Sequence, residues 1–155
     1  MKADKPRITA QLAGRPLHPL FRPFVVGYFL ATGACDLVYS QAGTFMQYSS
    51  PEFASITEWL LAAGLVMAAA TAATALMDFL GDARFRALPG VGMYAFSTLL
   101  VVALELQNLY IRWAYGAAAI IPMGLTLSIA AAAVLLATPT QGWADLYRGA
   151  DPAKG

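Results

Sequence analysis

Four long apolar segments run through this sequence, and they leave it very few possible folds. Each is close to the roughly 20 residues that an α-helix needs to cross a hydrocarbon core of about 30 Å. A helix also bonds every backbone amide and carbonyl within one segment, as lipid requires. We therefore predict an all-α fold, an integral membrane four-helix bundle. The predicted spans cover about 23–41, 59–80, 91–111 and 115–137.

The overall composition argues against a soluble or a disordered chain. Hydrophobic residues make up 59% of the 155 residues and charged residues only 12%, whereas soluble domains carry roughly 25% charged residues. So few charges cannot cover a soluble surface, and disordered segments are poor in apolar residues. The formal net charge is +1, which gives no basic field that would attract nucleic acid. We expect the lipid bilayer, and no nucleic acid, as a partner.

The ten Lys and Arg residues are distributed unevenly, and their positions predict the orientation of the chain. Five lie in the segment 1–22, two in the loop between the second and third spans, and two in the tail 138–155. Cytoplasmic loops carry an excess of Lys and Arg, so these nine residues predict that both termini are cytoplasmic. The tenth, Arg112, falls in the third connection, on the opposite side. We predict a multi-pass protein of the bacterial inner membrane with a basic N-terminal segment 1–22, a membrane domain 23–137 and a cytoplasmic tail 138–155.

Asp36 and Glu105 are carboxylates inside predicted spans, where such groups normally face the bundle, a partner or water. Asp36 lies about 18 Å beyond Phe24 and Glu105 about 17 Å beyond Tyr94, at about 1.5 Å per residue, so both lie at similar depth. We group them with Tyr39 and Asn108 as an intramembrane polar cluster. On the third span the cluster belongs to a stripe with spacings of three and four, which is typical of one helix face. The stripe is Tyr94, Thr98, Val101, Glu105, Asn108 and Arg112.

Two interpretations of the intramembrane polar cluster remain open. In the first, the two carboxylates share a proton as a relay or form the polar end of a small-ligand site. In the second, they are structural, and neutral carboxyl groups bond to Tyr39, Asn108 or a backbone carbonyl. We favour the structural interpretation, because no histidine or lysine accompanies the two carboxylates in these spans.

A second polar cluster is predicted at the cytoplasmic face. We expect Asp78, near the end of the second span, to form an ion pair with an arginine and so fix the following loop. The alternative is an interfacial pocket for a lipid or quinone headgroup. His18 is the only histidine of the chain, so one chain cannot hold a bis-histidine haem, and no metal site is predicted. The cluster comprises His18, Arg22, Asp78, Arg84 and Arg86.

Small residues at helical spacing form two ridges along predicted spans. Such ridges let helix backbones approach each other closely in membranes. They could hold this bundle together or dock another membrane subunit, and packing is the more common use. The ridge on the second span is Gly64, Ala68 and Ala72, and the ridge on the fourth is Gly124, Ser128 and Ala132.

Several short stretches, spread over most of the chain from about residue 14 to 148, carry a family resemblance. They are GRPLHP at 14–19, WLLAAGLV at 59–66, DFLGD at 78–82, GW at 142–143 and LYR at 146–148. Together they resemble an uncharacterised family of bacterial four-span membrane proteins that opens with a Gly-His-Pro-Leu-His-Pro motif. The resemblance implies a helical membrane protein with four spans, and the family has no settled activity to transfer.

The chain departs from that family in its histidines, in which the family is richer. Arg15 stands where the opening motif has its first histidine, and the start of the third span at 92–94 has none. Gly149 follows Tyr147 and Arg148 where a histidine is common in the family. The chain therefore looks like a divergent, histidine-poor member, and a haem role implied by the resemblance would lack its ligands.

The sequence contains no catalytic constellation. A Ser-His-acid set, a phosphate-binding glycine loop and a metal-hydrolase helix motif are all missing, so we expect a protein that is not an enzyme and has no catalytic residues.

The leading hypothesis is a non-catalytic accessory subunit that packs against a larger inner-membrane complex, respiratory or photosynthetic, or against copies of itself. One alternative is a small redox membrane protein that binds quinone or haem. Another is proton or solute permeation through the Asp36–Glu105 zone. No cofactor is predicted, and a bound lipid or quinone belongs to the first alternative.

Overall fold

The structure, a computed structural model, describes residues 10–13, 15–45, 51–86 and 90–138. Nearly all of these residues are helical, and a short antiparallel β-hairpin precedes the helices. One 3₁₀ turn and one π-helical turn connect the last two helices. The elements are β1 (Gln11–Leu12), β2 (Arg15–Pro16), α1 (Leu17–Phe45), α2 (Pro51–Gly81), α3 (Ala83–Arg86), α4 (Val91–Tyr115), the 3₁₀ turn (Gly116–Ala119), the π turn (Ile120–Gly124) and α5 (Leu125–Ala137).

Three stretches of the described chain are long and apolar enough to cross a membrane: Leu17–Gln41, Glu52–Gly81 and Val91–Ala137. The predicted helical membrane protein is therefore confirmed. The prediction of four separate membrane-spanning helices is not confirmed, because its third and fourth spans both fall within the 47 residues of the last stretch. Helix α2 begins at Pro51, eight residues before the predicted span, since proline is well tolerated in the first turn of a helix.

The stretch from α4 to α5 is not one straight helix. Backbone angles leave the helical range at Gly116 (φ 63°, ψ −151°) and again at Ile121 (φ −122°, ψ 129°). The side chain of Asn108 in α4 donates a hydrogen bond of 2.9 Å to Ser128 Oγ in α5. In a straight helix these two residues, 20 positions apart, would be separated by about 30 Å along the axis. The chain therefore turns back between α4 and α5, and the two helices pack side by side.

The four long helices form a bundle with two polar ends. At one end, which we call the inner end, the start of α1 meets the start of α4, and the Tyr94 hydroxyl lies 3.1 Å from His18 Nε2. At the other end, which we call the outer end, the later half of α1 meets the later half of α4 through an ion pair between Asp36 and Arg112. Helix α1 packs closely against α2 and α5, while α2 and α4 touch much less. The boundary between α2 and α4 is therefore the open seam of the bundle.

An apolar layer separates the two polar ends. Phe29 and Leu61 are fully buried there, and the ring of Phe29 packs directly against Gly64, where a Cβ would lie only 2.6 Å from Phe29 Cε1. Large apolar side chains also cover the outside of the bundle, where Leu99 is 69% exposed and Leu136 is 71% exposed. Helices that are apolar on all faces fit a lipid environment. The buried apolar layer consists of Val25, Phe29, Leu61, Ala68, Val101 and Ala131.

Candidate functional site

A buried ion pair forms the centre of the outer end. Arg112 Nη1 donates to Asp36 Oδ1 at 2.9 Å, and Arg112 Nη2 donates to Asp36 Oδ2. Asp36 is fully buried and Arg112 is only 3% exposed. Two parallel N–H···O bonds between a guanidinium and a carboxylate form the strongest geometry available to such a pair. The pair therefore joins α1 to α4 inside the bundle.

Hydrogen bonds extend this ion pair to the other two long helices. Arg112 Nη1 donates a second bond to Thr57 Oγ1 of α2 at 2.8 Å. Ser128 Oγ of α5 donates to Asp36 Oδ2 at 2.7 Å, and Arg112 Nε donates to Asn108 Oδ1 at 2.9 Å. Because one arginine and one aspartate bind partners on all four long helices, we call this set the outer network. Its members are Asp36, Thr57, Glu105, Asn108, Arg112 and Ser128.

Glu105 is attached to the outer network through one oxygen only. Asn108 Nδ2 donates to Glu105 Oε2 at 3.0 Å. The other oxygen, Oε1, is buried and has no hydrogen-bond partner among the described residues. The side chain as a whole is fully buried. A buried polar atom without a partner is uncommon in proteins and calls for a physical explanation.

The predicted intramembrane polar cluster comes together only in part. Asp36, Glu105 and Asn108 lie in one network, as the stripe on α4 predicts, and Asn108 and Ser128 link the two carboxyl groups. Tyr39 is only partly buried and makes none of the network's hydrogen bonds within the described chain.

The cation of the outer network is not predicted from the sequence. The predicted third span ends at residue 111, which leaves Arg112 in the following connection, although the polar stripe on this span contains it. Helix α4 in fact continues to Tyr115, so Arg112 still lies on its buried face. The signal that could have found it is its position four residues after Asn108, because a buried carboxylate needs a nearby cation.

A glycine lets α5 begin directly against the outer network. A Cβ built on Gly124 would lie 3.0 Å from Ala119 O, 3.1 Å from Asn108 Oδ1 and 3.2 Å from Arg112 Nη2. These distances are shorter than ordinary contacts, so even a Cβ at this position would require its neighbours to shift by a few tenths of an ångström. Of the predicted ridges, Gly64 and Ala68 pack inside the bundle and Ser128 belongs to the network, while Ala132 is half-buried and Ala72 lies in a groove on the open seam.

The inner end holds most of the predicted cytoplasmic-face cluster. His18 is 2% exposed and its ring meets Tyr94 edge to face, with 5.8 Å between the ring centres. The guanidinium of Arg22 lies 5.2 Å from the centre of the Tyr94 ring, a cation–π distance. Asp78 is fully buried, and its Oδ1 accepts a 2.9 Å hydrogen bond from the backbone N–H of Ala10.

The two loop arginines of the predicted cluster are placed differently. Arg86 Nη1 donates to the carbonyl oxygen of Phe79 at 3.1 Å, so it holds α3 against the end of α2. The side chain of Arg84 lies outside the described residues, and the predicted ion pair of Asp78 with an arginine stays a prediction. Tyr94 contacts both His18 and Arg22. It is not part of the predicted cytoplasmic-face cluster, because the sequence pattern places it only on the polar stripe of α4.

Two grooves lie along the open seam between α2 and α4. The inner groove has a volume of about 340 Å³, apolar walls, and the side chains of His18 and Tyr94 among its lining. The outer groove has a volume of about 550 Å³ and is lined by Glu58, Trp59 and Trp113 among others. A third, smaller cavity of about 40 Å³ lies inside the bundle, next to Phe29.

No group of three or more His, Cys, Asp or Glu side chains that could hold a metal ion occurs in the described part of the chain. Cys35 is partly buried and has a free thiol. The structure thus offers two polar centres, the outer network and the inner groove, as candidate sites.

Comparison with known proteins identifies a family but no characterised relative. The family described as "Predicted membrane protein (DUF2231)" matches residues 14–150, which is most of the chain. This agrees with the resemblance to an uncharacterised membrane protein family, while the opening motif and the four spans are not tested by the match. No match was found among curated proteins or among solved structures.

Proposed function

We propose a function for this chain from the premise that it belongs to the DUF2231 family of predicted membrane proteins. It is a non-catalytic protein of the bacterial inner membrane that crosses the bilayer four times. It binds a lipid-soluble molecule of the quinone class in the inner groove between α2 and α4. The inner groove is the observation that carries the proposal, because the buried side chains of His18 and Tyr94, together with Thr71 and Thr98, lie among otherwise apolar lining residues.

Four crossings are supported by the reversal between α4 and α5. Helix α4 has 25 residues, or about 38 Å at about 1.5 Å per residue. Helix α5 has 13 residues, or about 20 Å, and the π turn Ile120–Gly124 precedes it. The first arm therefore exceeds the roughly 30 Å of a hydrocarbon core, and the second approaches it only together with the π turn and the residues that follow α5. Two crossings by this stretch would bring both chain ends to the inner end, the side on which nine of the ten Lys and Arg residues are predicted.

The size and chemistry of the inner groove fit a quinone. Its volume of about 340 Å³ falls in the usual range of small-molecule sites, about 300–1,000 Å³. A quinone ring presents two carbonyl oxygens that accept hydrogen bonds. The Tyr94 hydroxyl and His18 Nε2 already share one hydrogen bond, so a quinone carbonyl would bind here by competing for the hydrogen that these two groups share. The apolar walls, which include Leu76, Phe79 and Leu99, suit its hydrocarbon tail.

We expect the Tyr94→Phe variant to retain less quinone than the wild type. The variant removes the hydroxyl at the groove wall and leaves the ring in place. One hydrogen bond contributes about 0.5–1.5 kcal/mol, which corresponds to about 2–10-fold in occupancy. The protein is purified in mild detergent, and its bound lipids are extracted and quantified by mass spectrometry.

The matched control is Tyr110→Phe, because Tyr110 lines the outer groove and is 60% exposed. It should retain as much quinone as the wild type. Finding phospholipid but no quinone on the wild-type protein would contradict the proposal, as would equal quinone on the two variants. Circular dichroism of both variants checks that they are folded.

The accessory-subunit hypothesis remains a prediction beside this proposal. The small residues that suggested docking are largely taken up by packing within the bundle, as at Gly64, Ala68 and Gly124. The same gentle purification tests this hypothesis, because a stoichiometric membrane subunit that migrates with the protein would support it. A lone protein that carries quinone would support the binding function instead.

A further inference from the structure

The outer network holds one more carboxyl group than it has cations. The charged groups that face Glu105 in the described chain are Asp36 from α1 and Arg112 from its own helix, whereas α2 and α5 contribute the neutral Thr57 and Ser128. Arg112 directs its guanidinium to Asp36, and Glu105 receives only the amide of Asn108. A second negative charge would therefore be buried without a cation of its own, which is very unfavourable inside a membrane. One proton on Glu105 makes the network neutral.

The unpartnered oxygen of Glu105 shows where that proton binds. Oε2 is occupied by the amide of Asn108, while Oε1 is buried and has no partner among the described residues. A carboxylate accepts hydrogen bonds at both oxygens, whereas a protonated carboxyl group carries its hydrogen on one of them. The geometry thus leaves Oε1 as the oxygen available to a proton or to a water molecule.

A cavity lies between the inner end and Glu105, although Glu105 itself is not among its lining residues and side chains of the buried apolar layer, such as Phe29, form part of its wall. It has a volume of about 40 Å³ and is lined by Val101 and Val102, which precede Glu105 by about one helical turn, and by Arg22 and Tyr94 at the inner end. A space of at least about 10–15 Å³ with polar partners can hold a water molecule. Hydroxyl groups lie along this cavity, from Thr71, Ser97, Thr98 and Thr138.

The opposite side of Glu105 is blocked by a fixed positive charge. Arg112 lies seven residues further along α4, about 10 Å toward the outer end, and its guanidinium is held by bonds to Asp36, Asn108 and Thr57. A buried arginine in such a position opposes the passage of protons, as in other membrane pores. Proton exchange is therefore expected on the inner side of Glu105 rather than on the side of Arg112.

We infer that Glu105 is an intramembrane proton-binding site that exchanges its proton on the side of the inner end, by way of water in this cavity and across the one helical turn that separates the cavity from Glu105, and not past Arg112. The proton adds to the carboxylate at Oε1 and leaves by the same route. This site is separate from the inner groove, so it does not depend on whether a quinone binds there.

Infrared spectroscopy of the full chain in lipid vesicles tests the protonation of Glu105. We expect a carboxylic-acid C=O band at neutral pH that shifts in D₂O and is lost in the Glu105→Gln variant. Glutamine has the shape of the neutral acid and can accept the hydrogen bond from Asn108, so the variant should stay folded with an unchanged melting temperature. The absence of the band in the wild type, or its persistence in the variant, would overturn the inference.

The rate of hydrogen–deuterium exchange of the same band tests the route. Ser97 lines the cavity, so Ser97→Leu should fill it and slow the exchange. Ala103 is exposed on the same helix, and Ala103→Leu adds similar bulk on the lipid side and should leave the rate unchanged. Equal exchange rates in the two variants would show that the cavity is not the route.

Discussion

Replacing Arg112 with methionine is expected to lower the free energy of unfolding by about 3–5 kcal/mol, because removal of one partner leaves the other charge buried and unpaired. Asp36 is fully buried and takes both of its strongest bonds from this arginine. The variant also leaves Thr57 and Asn108 without the guanidinium to which they bind. Reversible unfolding in detergent micelles, followed by circular dichroism, measures the loss.

Two further variants give this prediction its controls. Arg86 is exposed on α3 and donates one hydrogen bond to the carbonyl oxygen of Phe79, so Arg86→Met should cost no more than the about 0.5–1.5 kcal/mol of one hydrogen bond. The double variant Asp36→Leu, Arg112→Met should recover much of the lost stability, since buried ion pairs can often be replaced by apolar pairs at little cost. If Arg112→Met is as stable as Arg86→Met, the ion pair does not hold the bundle together.

The second large effect is expected at Gly124, where α5 begins beside the outer network. A leucine side chain would have to occupy space that Ala119 O, Asn108 Oδ1 and Arg112 Nη2 already border at 3.0–3.2 Å from the Cβ position. Asn108 and Arg112 belong to the buried network and Ala119 O is a backbone atom, so none of the three can move aside as freely as the end of a flexible side chain. We expect Gly124→Leu to cost about 3 kcal/mol, the upper part of the range for overpacked sites.

The matched control for this substitution is Gly92→Leu in the first turn of α4. No described atom lies within 4 Å of a Cβ at Gly92, so the added side chain enters open space. We expect the control to unfold at the same denaturant concentration as the wild type. Similar losses in both variants would mean that the close approach of α5 to the network does not contribute to stability.

The sequence predicts which helix faces are polar better than it predicts which polar groups meet. The spacing of Glu105 and Asn108 indicates one buried face of α4. In the structure Asn108 bonds Glu105 directly, and Asn108 is linked to Asp36 through Ser128 and Arg112. Thr57 and Ser128 could not be assigned in this way, because a single threonine or serine in an apolar segment has no periodic signal. Their contacts depend on how far each helix is shifted along its neighbour, which packing such as Phe29 against Gly64 determines.

Helix ends explain the other differences. Apolar segments end where polar residues begin, so Arg112 was placed in a connection although α4 runs on to Tyr115. The residues of the inner end are easier to predict from the sequence, because His18, Arg22 and Asp78 all lie near the ends of predicted spans. In the structure they come together at one end of the bundle. Tyr94 was missed there because periodicity identifies a face of a helix but not the depth at which its residues act.

The central claim is that the chain turns back between α4 and α5 and crosses the membrane four times, with both ends on the cytoplasmic side. Single cysteines introduced by Leu12→Cys, Ala117→Cys and Lys154→Cys, in a background in which Cys35 is replaced by serine, test it with a membrane-impermeant maleimide on intact cells. The account predicts labelling at position 117 from outside, and labelling at positions 12 and 154 only after the membrane is opened. Labelling at position 154 from outside, with position 12 protected, would show an odd number of crossings and contradict it.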